Sequence, residues 1–238
     1  MKSVSASKSA SGNRPISREK LDELFRGIGQ SLREGHSAEA ERKIDEALRT
    51  YSLSADNTAH LKRLLSFTLE TLGRYKESLD AVVEYEAEES REALATETQV
   101  RVITQLAIAH NNSGDQPKAI TLLKETRTRA EESELRMLLG GIDIALARVY
   151  RTLDEYQICR DFGQRALDQF RETGDWLGMA EAYREIANSL HQEGNSEKAV
   201  ENFELGIKII GANSAPFMLG KLYTDMSGAY WFLRQPQD

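Results

Sequence analysis

The side chains in this sequence best suited to recognition chemistry are guanidiniums and amides. Arg63, Arg101, Arg148, Arg151 and Arg184 carry planar forks that can hold a carboxylate through two parallel charge-assisted hydrogen bonds. Asn111 and Asn188 carry amides that both donate and accept, the combination an extended peptide backbone needs. Lys221 adds a further cation. Metal and catalytic chemistry are poorly provided for. His36, His60, His110 and His191 are far apart, and no two histidines have the i, i+4 spacing that sets two ligands on one helix face. The single cysteine, Cys159, admits no intrachain disulfide and reads as a small core side chain, a reactive thiol being the lesser alternative. There is no G-x-x-x-x-G-K-[ST] or G-x-G-x-x-G phosphate motif, and Gly140-Gly141, with no strand before it, reads as bending or loosening a helix start. The expectation is a non-enzymatic chain with no cofactor, no metal site and no catalytic residue.

Composition narrows the partner. Formal charge is -7, from 38 acids against 31 bases. A generic nucleic-acid binder carries the opposite balance, because it must displace counterions from phosphates. Hydrophobic residues at 40% and charged residues at 29% are ordinary for a soluble domain, and only 4 prolines leave long stretches free to be helical. No stretch approaches the length of apolar chain that spans a bilayer, and the polar start MKSVSASKSASGNRPIS lacks the apolar run of a secretory signal. Residues 1–16 read as a disordered tail and 17–238 as one domain. A lone cysteine fits a reducing, cytoplasmic setting.

The elements that would position these side chains declare themselves by repetition. HQEGNSEKAVENF at 191–203 echoes NNSGDQPKAITLL at 111–123. Similar turns fall near Gly35, Gly73, Gly114, Asp154, Gly194 and Arg234, at steps of about 40 residues, which mark a repeat architecture. Five residues past each turn stands a small side chain: Ala40, Ser78, Ala119, Cys159 or Ala199. Four further on comes Ile44, Val82, Leu123, Gly163 or Phe203, one helical turn along the same face. Seven residues before the turn the small row recurs in Ser66, Ala107, Ala147, Ala187 and Ser227, with Ile28 breaking it in the first unit. A helix therefore enters each turn and another leaves it. Asp115, Asp175 and Asn195 stand at N-cap positions, and Pro117 and Pro216 in first turns. The expected fold is all-α, a right-handed α-solenoid of antiparallel hairpins with about eleven helices: five hairpins and an unpaired last helix from Ala215 to about Leu233.

This pattern resembles the tetratricopeptide repeat, most closely in RALDQFRETGDWLGMAEAYREIANSLHQEGNSEKAVENF, through Ala166-Leu167, Gly174-Asp175, Ala180 and Ala187. The roughly 40-residue period is similar to the longer variety found in kinesin light chains, spindle-orientation adaptors and bacterial peptide-sensing regulators. The resemblance covers about residues 18–238 and rests on packing residues. It implies a concave face that holds a peptide by asparagines and arginines. Two departures, Gly163 for a large apolar residue and Asp154 for the turn glycine, lead us to expect irregularity around the fourth hairpin.

In stacked hairpins the first helices line the inside. Their inward positions fall thirteen, ten, six and three residues before each turn. There Arg63, Arg101, Arg148, Arg151, Arg184 and Lys221 face only Glu70 and Glu181, a basic face in an acidic chain. The expectation is an interaction scaffold binding an acidic or C-terminal-carboxylate peptide, with Asn111 and Asn188 holding its backbone; a solvated face whose arginines pair with acids across the groove is the alternative. Two rival roles remain: a sensory front end of a larger signalling protein, and self-assembly through the last helix. That helix carries Tyr230, Trp231 and Phe232 where a solenoid cap would be polar, so the expectation is that the natural chain continues past it, with a homodimer face as the alternative. Neither nucleic acid nor membrane is expected as a partner.

Overall fold

The computed structural model describes residues 14–211 and 215–234. Among them lie eleven α-helices: α1 Arg18–Glu34, α2 Ser37–Thr50, α3 Ala55–Thr71, α4 Tyr75–Asp80, α5 Thr96–Asn112, α6 Gln116–Glu132, α7 Arg136–Thr152, α8 Tyr156–Thr173, α9 Trp176–Gln192, α10 Ser196–Gly211 and α11 Pro216–Leu233. They build a helical solenoid. Each helix packs on the next, and the odd-numbered helices from α3 to α11 also pack on one another as an inner layer. No described helix is long and apolar enough to cross a membrane.

The small-residue slots are what allow the close approach. Ala40, Ser78, Ala119, Cys159 and Ala199 are all 0% exposed, as are Ile44, Val82, Leu123 and Phe203 one turn on. Gly35, Gly73, Gly114 and Gly194 turn the chain at positive φ, between +72° and +96°. Asp154 adopts the same left-handed conformation at φ 60°, and its carboxylate accepts a 2.7 Å hydrogen bond from the Tyr156 hydroxyl. Asp can enter this region because its short side chain bonds locally. Arg234 does not enter it, at φ −90°. The N-caps fall where the sequence puts them: Asp115 accepts from the Lys118 N–H at 3.1 Å, Asp175 from Gly178 at 2.9 Å and Asn195 from Lys198 at 3.4 Å.

The irregularity lies in the second hairpin rather than the fourth. α7 and α8 run unbroken for 17 and 18 residues. At Gly163 an added Cβ would sit 2.7 Å from Cγ1 of Ile186, so a neighbouring helix fills the space that a large residue fills elsewhere. By contrast α4 lasts only six residues, and a 3₁₀ turn, Val83–Glu86, and irregular chain lead on to α5. Tertiary partners hold this path. Glu84 accepts from Lys62 at 2.7 Å, Glu86 pairs with His110 at 2.5 Å and Lys118 at 3.3 Å, and Asp56 accepts the Ala95 N–H at 2.9 Å. Local helix preference is weak beside such contacts.

Of the expected tail, residues 1–13 lie outside the described residues. Arg14–Pro15 form a short strand, β1, paired in parallel with β2, Tyr51–Ser52. At the other end the inner layer curls until α11 also packs on α1. Phe217 lies against the Gly35 turn, where an added Cβ would come within 3.2 Å of its ring. The outer face of α11 is uncovered. Ser227 and Tyr230, whose counterparts in other hairpins face a second helix, are exposed, together with Tyr223, Trp231, Phe232 and Leu233.

Candidate functional site: the cavity of the inner layer

The odd-numbered helices enclose a cavity of about 800 Å³. Most of the inward positions on α7 and α9 reach it, including Gly141, Ile144, Arg148, Arg151, Glu181 and Arg184, with Phe67 and Glu70 from α3, Ile108 from α5 and Lys221 from α11. One side is apolar, built from Phe67, Ile108, Ile144, Leu177 and Met218. Two glycines shape it. Gly140 and Gly178 leave room for the Phe170 ring, which would meet an added Cβ at 2.6 Å and 2.5 Å. Gly141 faces open space, with nothing within 4 Å of an added Cβ. Gly140-Gly141 lie in the second turn of α7, which starts at Arg136.

The other side is an ion network, and it corrects the charge count read from sequence. Glu185, 0% exposed, accepts from Arg148 at 3.2 Å and Arg151 at 3.1 Å, and lies 3.5 Å from Arg184. Glu181 takes Arg148 at 2.6 Å and Arg184 at 3.4 Å. Asp225 takes Arg184 at 2.7 Å, and Glu70 stands 3.7 Å from Arg148. Burial alone would push Glu185 up, but Arg148, Arg151 and Arg184 hold it down at about 2. Burial likewise opposes the charge of Arg148, yet Glu185, Glu181 and Glu70 keep it above the usual guanidinium range. Glu181 is held below the carboxylate range against its own burial, by Lys221, Arg184 and Arg148. The face around α7, α9 and α11 is thus balanced, not basic. Glu185 and Asp225 escape the inward register because they sit nine residues before their turns. The same position holds Arg26, Leu64, Gln105 and Ala145 in the other units, so no uniform row in the sequence marks them.

The asparagines are redistributed too. Asn111 is buried, its Oδ1 accepting from Thr152 at 2.9 Å, and Asn188 donates to Asp225 at 3.0 Å. It is Asn112 that lines the cavity, with a buried Nδ2 that has no hydrogen-bond partner. Arg63 and Arg101 stand on the same inner layer but off the cavity wall; Arg101 is bonded to Glu97 at 2.7 Å. His110 is 7% exposed and Cys159 is fully buried, its thiol pushed up to about 12 by burial and then by Glu185. Among the described residues no group of histidine, cysteine and carboxylate side chains could hold a metal ion. Tyr230, Trp231 and Phe232 are 41%, 66% and 41% exposed.

Residues 139–210 match the family model described as a tetratricopeptide repeat. No curated protein sequence matches the chain. Several solved structures share its fold. BtubC (BKLC) from P. vanneervenii aligns with a TM-score of 0.59 at 12% identity, over 90% of this chain and 83% of that one. The apo form of RapI gives 0.61 at 15% identity, over 91% of this chain, which spans only 60% of RapI. A kinesin light chain-like repeat protein from Podospora anserina gives 0.53 at 15% identity, over 77% and 95%.

Proposed function

We propose that this chain, a tetratricopeptide-repeat protein, is an interaction scaffold that takes a segment of a partner protein into the cavity of its inner layer. The observation that carries this reading is the cavity itself. Its volume, about 800 Å³, lies in the range of ligand pockets, and its mix of apolar wall and few polar groups is what such pockets use. Asn112 stands on the cavity wall, and its Nδ2, buried without a partner, would meet a peptide carbonyl once the side chain turned toward the cavity. Leaving such a donor unbonded costs roughly 1–3 kcal/mol, which a bound carbonyl would recover. An apolar side chain of the segment would lie over Gly141, between Ile144 and Ile108. A carboxylate on the segment, from an acidic residue or its C-terminus, would have to displace Glu181 or Glu185 to reach Arg148 or Arg184, or find a cation elsewhere on the layer. Because the network carboxylates are held ionised, the cavity suits binding rather than acid–base chemistry, and Cys159, its thiol held protonated, is not among the residues of the cavity wall.

Gly141→Leu tests the cavity. The new side chain enters open space, and leucine suits a helix interior better than glycine, so the fold should hold, with circular dichroism as the check. A partner segment captured by the wild-type chain and synthesised as a peptide should bind Gly141→Leu at least about tenfold more weakly by calorimetry, the equivalent of about 1.4 kcal/mol. Equal affinity for the two chains overturns the reading.

The exposed apolar end of α11 favours a second reading, self-association through Tyr230, Trp231 and Phe232. Sedimentation velocity at high protein concentration should then show a dimer that Trp231→Glu converts to monomer. A wild-type monomer throughout rules this out.

A further inference from the structure

The geometry points to a partner segment that carries no charge where it fills the cavity, with apolar side chains over one wall and amide groups against the other. This rests on the reading of the cavity as a segment-binding site and names the class of segment it takes. The charges of the wall are already matched. Arg148 bonds to Glu181 and Glu185, Arg151 to Glu185, and Arg184 to Asp225 and Glu181. Glu70 accepts from Gln105 at 3.4 Å and stands 3.7 Å from Arg148. Lys221 lies 5.2 Å over the Phe217 ring and joins Arg184 and Arg148 in holding Glu181 ionised against its burial. At the rim, Asp175 caps α9, and the exposed Arg33 stands in the last turn of α1, where a cation suits the helix end.

A matched network of this kind opposes an added charge of either sign. A carboxylate would compete with Glu181 and Glu185 for guanidiniums that are only 15–18% exposed, and an ammonium would compete with Arg148 and Arg184 for the same acids. Either one leaves a displaced charge poorly solvated and without its partner. An amide displaces nothing, because its oxygen accepts from a guanidinium and its N–H donates to a carboxylate. The network has room for both bonds. Among the described residues Arg151 and Arg184 each keep an Nη2 without a hydrogen bond, and Glu181 takes both of its arginines on Oε1 and keeps Oε2 open. The opposite wall, with Phe67, Ile108, Ile144, Leu177 and Met218, makes no polar demand, and Gly141 leaves space there for a side chain. A segment that alternates Leu or Phe with Gln, Asn or Ser meets both walls.

The probes are three capped tripeptides, acetyl-Leu-Gln-Phe-amide and its counterparts with Glu or Lys at the centre. They are read on the methyl resonances of Ile108 and Ile144 in the ¹³C-isoleucine-labelled full-length chain, with Ile108→Val and Ile144→Val to assign the signals. The Gln tripeptide should shift both methyls saturably, and the Glu and Lys tripeptides should bind at least about fivefold more weakly. Affinity for the Gln tripeptide should change less than about twofold between roughly 0.05 and 0.5 M sodium chloride, because no ion pair forms. A Glu or Lys tripeptide that binds as tightly as the Gln one overturns the inference, and so do methyls that stay still with the Gln tripeptide. Removing one acid should turn the preference. Glu181→Gln, its fold checked by circular dichroism, should bind the Glu tripeptide more tightly than the Gln one, and a folded variant that keeps the wild-type order overturns the role given to the network. If that variant does not fold, the wild-type titrations decide. A Gly141→Leu chain that loses its captured partner peptide, while the Gln and Glu tripeptides bind the wild-type chain alike, overturns the charge assignment alone. A Gly141→Leu chain that keeps that peptide, while the tripeptides hold their order on Ile108 and Ile144, overturns the cavity reading of the partner alone.

Discussion

Glu185 is a carboxylate with no exposed surface, held between three arginines on two helices. Its folded-state pKa of about 2 lies below the ordinary 4.5, so the unfolded chain takes up its proton first as pH falls. The stability it contributes is fully present above about pH 4.5 and is lost as pH drops toward 2. Glu185→Gln should lower the stability measured by urea denaturation at pH 7 by on the order of 3–5 kcal/mol, because the change leaves the buried Arg151 without a carboxylate and removes one of those on Arg148 and Arg184. It should also flatten the loss of stability between pH 4.5 and 2, and a variant with unchanged acid sensitivity would show that Glu185 does not anchor the network. Arg148, Arg151 and Arg184 are legible in the sequence as inward-facing side chains. Glu70 and Glu181 are legible with them as inward acids, but Glu185 and Asp225 are not, since they lie outside that register and only the assembled layer brings them to the arginines.

At the scale of the element, the repeat is legible because close packing leaves a mark at each contact. The row from Ala40 to Ala199 is small wherever two helices of a hairpin touch, and every member is fully buried. The second hairpin is not legible in this way. Ser78 and Val82 keep the pattern, while the chain beyond α4 follows hooks such as His110 on Glu86, which no periodicity reports. Gly163 is the reverse case, a departure in sequence that the fold absorbs. Gly163→Ala would set a methyl 2.7 Å from Ile186 Cγ1 and should cost about 1–3 kcal/mol in chemical denaturation. Ile186→Ala in the same chain should return part of that loss, a coupling of about 0.5 kcal/mol or more in a double-mutant cycle. Additive losses would mean that the glycine answers to the helix backbone and not to Ile186.

At the scale of the whole molecule, an open stack of hairpins has two free ends, and stability in such a stack falls toward them because each unit leans only on its neighbours. Here Phe217 and Gly35 join the two ends across 182 positions of sequence. Closing so long a loop carries an entropic penalty that grows only with the logarithm of its length, but it is met after the local contacts have formed. The junction is thus expected to assemble last. Phe217→Ala should speed hydrogen exchange in α1 and α11 while leaving α7, at the middle of the layer, as slow as before. What fastens the ends also sets the cooperativity of the array: with the junction made, fraying at one end is felt at the other, and the stack melts more nearly as a unit than as a row of hairpins.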